Sequence, residues 1–381
     1  MRGLIVDSFK ENIMGSLLST YTTGRDNNFN LVRFVAALLV LYSHSFALAI
    51  GSGDAEPPRA LIGMSWGNIA VDIFFITSGF LITGSYLSRN NLIAFAWARI
   101  LRIYPALIVA VMFCVFVVGL YFTTLTVLEY FSDAQTYKFM FKNILLFFGV
   151  EYKLPGVFQD NPYKYTVNGS LWTLPYEVKM YTMLAFILSV IVYLQKRLNF
   201  LTIKNTLLSV ALFSVILHIG NHFGLLPLPD NFIKLFYMFF VGSAFYAWKD
   251  RIQLSSWWFF VALILLLVST ANKDIFFVFY SLLLPYLTLY IAYVPSGHVR
   301  KFNQIGDYSY GIYVYAFPVQ QSMAALVPNI SVSAMIIYSL SITMVLSMTS
   351  WHLIEKRFLK MKGSYIFIER FMQKTGLIKG M

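Results

Sequence analysis

Arg33 and His44 occupy the most unusual positions in this chain, because the residues between them are almost entirely apolar. Their spacing of eleven residues is close to three turns of an α-helix, which puts both on one face with the imidazole about 16 Å farther along the axis. An ionisable side chain inside a membrane is costly unless it is paired or faces water, so such residues are candidates for function. The spacing predicts one helix with a cation at its cytoplasmic edge and a base deeper in the bilayer.

An imidazole in that position suits a general base that takes a proton from a hydroxyl group. A carboxylate on another helix would orient the ring, and Asp72 and Glu177 are the candidates because both lie in predicted membrane helices. Lys179 is a further ionisable residue of the same kind. The alternative is a histidine that only hydrogen-bonds between packed helices.

Arg99 and Arg102 are three residues apart, hence on one face of a helix, and together they form a fork for an anion. With Arg33 at the same level, three guanidinium groups would converge on a phosphorylated ligand from the cytosol. The alternative is that all three reach acidic lipid headgroups. His218 and His222 have the spacing of a metal pair but lack an evident third ligand, so we expect no metal.

Composition identifies an integral membrane protein: 58% of the residues are hydrophobic and only 12% are charged. The net charge of +12 does not indicate nucleic acid, because the basic residues lie between apolar segments. We expect an all-α protein of about ten transmembrane helices. They are predicted at Leu31 to Ile50, Ile69 to Leu87, Ile103 to Phe122, Leu174 to Leu194, Thr206 to Ile219, Phe232 to Trp248, Trp257 to Thr270, Ile275 to Tyr293, Tyr308 to Leu326 and Val332 to Ile354.

The distribution of Lys and Arg predicts that both termini are cytoplasmic. With that orientation the outer segments hold few cations, namely Arg59, Lys138, Lys142, Lys153, Lys164 and Lys273. The short apolar segment from Tyr137 to Val150 is then re-entrant or interfacial.

The whole chain, residues 1–381, is predicted to be one membrane domain, with a cytoplasmic or interfacial segment at 1–30 and a basic cytoplasmic tail at 355–381. The first twenty residues suggest a helix on the membrane surface. The one long loop, Thr123 to Ser170, is rich in Tyr, Asn, Asp and Pro and suits a saccharide partner, or it only caps the bundle.

Six short motifs in this order resemble the acyltransferase-3 family of polytopic membrane acyltransferases, and the resemblance extends from Asn30 to about Phe358. The motifs are Arg33-Phe-Val-Ala-Ala with His44, Val71-Asp72-Ile-Phe-Phe-Ile-Thr-Ser78-Gly79-Phe80, Arg99-Ile-Leu-Arg102-Ile-Tyr104-Pro105, Leu171-Trp172-Thr-Leu-Pro-Tyr-Glu177 with Tyr181, Tyr308-Ser-Tyr-Gly311-Ile-Tyr313, and Ile354-Glu355-Lys356.

The resemblance implies that Arg33 and His44 are essential, that His44 is the catalytic base, and that Arg99 and Arg102 serve the acyl-CoA donor. It implies a bacterial inner-membrane enzyme, multi-pass, which transfers acetyl from acetyl-CoA to a free or lipid-linked glycan such as O-antigen or exopolysaccharide. Many relatives carry a histidine where this chain has Ala316, so any role of that histidine is absent here. Some relatives also append an esterase domain of the SGNH type. No such domain follows in this sequence, so we expect the membrane domain to complete the transfer itself.

Two other functions fit the same residues. A secondary transporter would use His44, Asp72, Glu177 and Lys179 as a proton relay or ion site. A non-catalytic partner of a polysaccharide synthase would not need His44 at all. The sequence does not identify the sugar, the acyl group or the oligomeric state.

Overall fold

The computed structural model describes residues 15–24, 26–89, 91–195 and 202–375. Helix makes up 78% of the structure and the two strands have two residues each, so the prediction of an all-α protein is confirmed. The helices of ten or more residues are labelled α1 Phe29–Ile50, α2 Trp66–Arg89, α3 Leu92–Phe113, α4 Ala134–Leu145, α5 Leu174–Gln195, α6 Ile203–His222, α7 Asp230–Ala247, α8 Ser256–Ser269, α9 Lys273–Tyr293, α10 Ser309–Leu326, α11 Val332–Ser350 and α12 Tyr365–Lys374.

Shorter helical segments connect or extend these helices. They are Leu18–Tyr21, Pro57–Ile62, Cys114–Gly119, Leu120–Phe122, Val127–Ser132, Gly169–Thr173, Gly297–Lys301, Phe302–Ile305, Trp351–Glu355, Lys356–Lys360 and Met361–Ser364. Strands β1 Ser16–Leu17 and β2 Gln253–Leu254 pair antiparallel. All ten segments predicted as spans coincide with helices, and three of them extend one residue beyond a helix end, at Trp248, Thr270 and Tyr308.

Within the described residues, seven helices are long and apolar enough to cross a membrane, which makes this a multi-pass membrane protein. They are Phe29–Ile50, Trp66–Arg89, Leu92–Phe122, Gly169–Gln195, Ile203–His222, Lys273–Tyr293 and Val332–Lys374. The predicted count of about ten also includes α7, α8 and α10, which have 18, 14 and 18 residues. At 1.5 Å per residue α8 is about 21 Å long, shorter than the hydrocarbon core of a bilayer.

Two predicted boundaries differ from the structure. Helix α3 begins at Leu92 rather than Ile103, because the side chain of Asn91 accepts the amide of Ala94 and caps the helix there. Arg99 and Arg102 therefore lie inside this helix and not at its entry. The segment predicted as re-entrant or interfacial, Tyr137 to Val150, overlaps α4, which begins earlier, at Ala134, and whose 12 residues rise about 18 Å, too short to span.

The N-terminal segment was predicted to form a surface helix. Residues 1–14 lie outside the described residues, so for most of the segment the surface helix stays a prediction. Residues Ser16–Leu17 form β1 against β2, and Leu18 is completely buried. The short helix Leu18–Tyr21 follows directly, so the described end of the segment is held by backbone pairing with a strand far along the chain and by burial of one leucine.

The chain divides into two compact units, each built from three separate pieces. The first unit holds the described parts of Met1–Val40, Asp54–Gly84 and Lys179–Asp307. The second unit holds the described parts of Leu41–Gly53, Ser85–Val178 and Tyr308–Met381.

Helices α2 and α7 of the first unit pack with their backbones in direct contact. A Cβ atom added at Gly79 would lie 1.9 Å from the carbonyl oxygen of Phe239, and one at Gly242 would lie 2.2 Å from that of Ile76. The hydroxyl of Ser243 donates to the carbonyl of Gly79 at 3.3 Å. Small residues at such a contact allow close packing of membrane helices.

We expect Gly79→Ala to destabilise the protein, because the added methyl group has no space beside Phe239. Overpacking of a tight core costs about 1–3 kcal/mol. The measurement is the midpoint of thermal unfolding of the purified protein in one detergent. Gly363→Ala is the matched control, since no atom lies within 4 Å of its added Cβ, and an equal midpoint for both variants would contradict the close contact.

The second unit is organised around α10, whose residues are nearly all buried. Tyr310 donates its hydroxyl to the carbonyl of Ile103 in α3 at 2.9 Å, and Gly311 packs against the backbone of Ser347 in α11. Trp97 of α3 donates its indole N–H to the hydroxyl of Ser364 at 3.0 Å, which holds the C-terminal segment on α3.

Candidate functional site

His44 lies in the second unit, on α1, with its ring against the ring of Phe317 in α10. The ring centroids are 5.1 Å apart and the planes cross at 78°. The Nδ1 atom is buried and has no hydrogen-bond partner among the described residues. A buried polar atom without a partner costs about 1–3 kcal/mol, so this nitrogen is a strong candidate to contact a ligand.

Gln320 crosses from α10 to the turn of α1 that carries His44. Its amide nitrogen donates to the carbonyl of Leu41 at 2.9 Å and to the hydroxyl of Ser45 at 2.7 Å. Its amide oxygen is buried and, like the His44 nitrogen, has no partner in the described part of the chain. The sequence did not single out Gln320, although a glutamine in an apolar helix is a visible signal of a buried polar contact.

A proline in α10 explains why the long loop is attached there. Pro318 has no N–H, so the carbonyl of Val314, four residues earlier, loses its donor within the helix. The side-chain amide of Asn168 replaces that donor at 2.9 Å. Asn168 is 1% exposed, so this is a buried contact between the loop and the helix.

Gln321 forms the second attachment of the loop. Its amide nitrogen donates to the carbonyls of Tyr163 at 2.8 Å and Thr166 at 2.6 Å, and its oxygen accepts from Asn161 at 2.8 Å. A Cβ at Gly169 would lie 2.5 Å from the ring of Phe317. The loop therefore packs directly on the aromatic ring that contacts His44.

Arg102 pairs with a buried carboxylate of the same unit. Its Nη1 atom is 3.3 Å from Oε2 of Glu355, a residue that is 2% exposed. The other carboxylate oxygen, Oε1, accepts from the hydroxyl of Ser350 at 3.2 Å. The guanidinium lies 5.6 Å from the ring centre of Tyr310, while that of Arg99 lies 5.9 Å from the ring of Phe95. The sequence named Glu355 as part of a motif but did not identify it as the partner of Arg102.

Arg33 lies in the first unit and is only loosely paired. Its Nη1 atom is 4.0 Å from Oδ2 of Asp307, and its guanidinium lies 5.7 Å from the ring centre of Phe74. The Nε atom is buried without a hydrogen-bond partner in the described ranges. A guanidinium with a single long ion pair and an unused N–H group has donors left for an anion.

Asp72 is completely buried in the first unit, with partners from two other helices. Lys234 of α7 is 3.1 Å from Oδ1, and Tyr280 of α9 donates its hydroxyl to Oδ2 at 2.7 Å. Within the first unit, Oδ1 thus has an ion-pair partner and Oδ2 has a hydrogen-bond donor. Whether Asp72 orients His44 stays a prediction, and no pattern along the chain pointed to Lys234 as its partner.

Glu177 lies in the first turn of α5 and is partly buried, and its role stays a prediction. His222 contacts Asp274 at 2.9 Å and stacks on Phe277 with centroids 3.7 Å apart. His218 packs on Tyr237 and Phe277. Over the described ranges, no group of three or more His, Cys, Asp or Glu side chains is placed to hold a metal.

These features define a multi-pass, all-helical membrane protein with a buried histidine nitrogen that has no hydrogen-bond partner among the described residues. Residues 26–352 match the profile of the acyltransferase-3 family, described as an acyltransferase domain. The chain belongs to that family, so the resemblance seen in its motifs is confirmed and the chain is an acyltransferase.

Two curated relatives are similar to the chain. An O-acetyl transferase of Shigella phage Sf6 is 30% identical over 348 residues, which are 88% of this chain and 96% of that protein. Nodulation protein 10 of Rhizobium leguminosarum bv. viciae is 31% identical over 175 residues, 45% of this chain and 46% of that protein. No solved structure matches the chain.

Proposed function

We propose that this chain is a membrane O-acyltransferase that transfers acetyl from cytoplasmic acetyl-CoA to a sugar hydroxyl of a surface or secreted polysaccharide. The observation that carries the proposal is the buried Nδ1 atom of His44, which has no partner in the described part of the chain. The similarity to an O-acetyl transferase, over nearly the whole length of that protein, supports acetyl as the group transferred.

In the proposed reaction, His44 acts as the general base. An imidazole nitrogen accepts the proton of the sugar hydroxyl while the hydroxyl oxygen attacks the thioester carbonyl carbon. The carbon–sulfur bond breaks, and the CoA thiolate takes up the proton from the imidazolium as it leaves. The products are a sugar ester and CoA, with His44 neutral again.

The arginines are proposed to serve the donor. As the family resemblance implies, Arg33, Arg99 and Arg102 would bind acetyl-CoA, since a guanidinium matches the geometry of phosphate oxygens. Asp72 and Glu177 are the carboxylates proposed to orient the imidazole ring of His44. We propose the bacterial inner membrane as the location, with about ten spans and both termini cytoplasmic.

The proposal is tested with purified protein in lipid vesicles, acetyl-CoA carrying a labelled acetyl group, and polysaccharide stripped of its esters by dilute alkali. We expect label to appear on the polysaccharide and free CoA to appear at the same rate. A thiol-reactive dye measures the CoA. Transport of sugar into the vesicles without release of CoA would contradict the proposal and identify a transporter.

A further inference from the structure

A cavity of about 370 Å³ lies in the second unit, between the long loop and the C-terminal end of α10. It is within the size range of ligand pockets. One wall is aromatic, formed by Phe122 and Phe158 with ring centroids 5.0 Å apart. The other walls carry amide and carboxylate groups from Gln159, Asp160 and Asn329.

Two of these polar side chains have no polar partner in the described part of the chain. Asp160 and Asn329 are exposed and make no hydrogen bond or ion pair with any described residue. Gln159 makes one contact, from its amide nitrogen to the hydroxyl of Thr124 at 3.4 Å. Carboxylate and amide groups beside aromatic rings form the chemistry that recognises a sugar, whose hydroxyls need acceptors and donors and whose C–H faces pack on rings.

The aromatic wall is held in a strained conformation. Phe158 has φ of 53°, a region that bulky residues rarely adopt, yet it is 4% exposed and fixed by its neighbours. The carbonyl of Phe158 accepts the amide of Tyr165 at 3.0 Å. Strain of this kind persists where the surrounding structure fixes it, often at ligand-binding sites.

The cavity lies beyond His44 rather than at it. Ala324, which lines the cavity, follows Phe317 by seven residues in α10, a rise of about 10 Å. Both residues pack in one buried cluster with Leu48, one turn after His44 on α1. A sugar bound in the cavity would be too far from His44 to react. A neighbouring sugar of the same glycan would extend toward His44.

We infer that this cavity binds a non-reacting sugar of the acceptor, so that the preferred acceptor is an oligosaccharide or longer glycan and not a single sugar. The inference rests on the proposed function. Asp160 and Asn329 would hold the hydroxyls of that sugar, and Phe122 and Phe158 would hold its apolar face. The site would determine acceptor specificity without taking part in the chemistry.

The test compares acceptors of two lengths with purified full-length protein and acetyl-CoA. The acceptors are oligosaccharides cut from alkali-treated polysaccharide of the producing cells, and methyl glycosides of its single sugars. We expect Asp160→Asn and Asn329→Ala each to raise the KM for the oligosaccharides about tenfold, or about 1.4 kcal/mol, with kcat within about twofold. We expect wild type to use the methyl glycosides with a KM at least as high as that of these variants.

The control is Asp133→Asn, in the same loop but outside the cavity lining. Asp133 caps α4 by accepting the amide of Gln135, and Asn caps equally well, so the fold and both kinetic constants should be kept. Unchanged KM values in both cavity variants would overturn the subsite alone. Absence of any sugar ester with wild-type protein would overturn the proposed function and the subsite together.

Discussion

Replacing His44 with alanine is expected to lower the rate of acetyl transfer by about a hundredfold to ten-thousandfold, the contribution of a positioned general base. The reason is that His44 is the one group proposed to take the proton of the attacking hydroxyl, and alanine cannot accept a proton. The measurement is release of CoA in the presence of alkali-treated polysaccharide, at equal amounts of protein in the membrane. His44→Gln should be equally inactive, because an amide fills the space but does not accept a proton.

The matched control is His298→Ala. His298 is exposed in the segment Gly297–Lys301 and makes no hydrogen bond, ion pair or ring contact with the described residues, so its loss should leave the rate unchanged. Thermal unfolding of each variant separates loss of the base from loss of the fold. If His44→Ala retained the wild-type rate with a normal unfolding midpoint, the proposed base would be wrong.

Replacing Lys234 with methionine is expected to destabilise the protein by about 3–5 kcal/mol, because it leaves the completely buried Asp72 without its counterion. Asp72→Asn combined with Lys234→Met should recover most of that loss, since the pair is then replaced by two neutral side chains. Tyr280→Phe should cost less, because it removes one hydrogen bond and leaves the ion pair in place.

A double-mutant cycle measures this coupling from unfolding midpoints in a single detergent. Lys204→Met is the control, because Lys204 forms an ion pair with Asp250 in which both side chains are about half exposed, and such pairs contribute little. A double variant as unstable as Lys234→Met would show that Asp72 and Lys234 do not act as a pair.

The sequence was most informative about features with a local signal. Long apolar runs identified every helix that carries a proposed functional residue, and the motifs around Arg33, His44 and Glu355 identified the family. The polar content of α10 is equally local. It includes the completely buried Gln320 and Gln321, which suit a helix enclosed by protein rather than by lipid.

The partners of the buried groups were beyond the reach of sequence patterns. Lys234 and Tyr280 follow Asp72 by more than 150 residues, and nothing in the spacing of one helix specifies which residue faces it on another. The pairing of β1 with β2 is non-local in the same way. Pro318 does predict that the carbonyl of Val314 lacks its helical donor, but only the folded chain shows that Asn168 supplies the replacement.

The hydrogen bond from Asn168 to Val314 limits which parts of this enzyme can be exchanged with those of a relative to change the acceptor. The loop completes the hydrogen bonding of α10 at Val314, while Gln321 of α10 binds backbone carbonyls of the loop. A loop grafted from another protein would leave both ends of this reciprocal arrangement unsatisfied. Chimeras should therefore move residues 151–170 and α10 together as one unit.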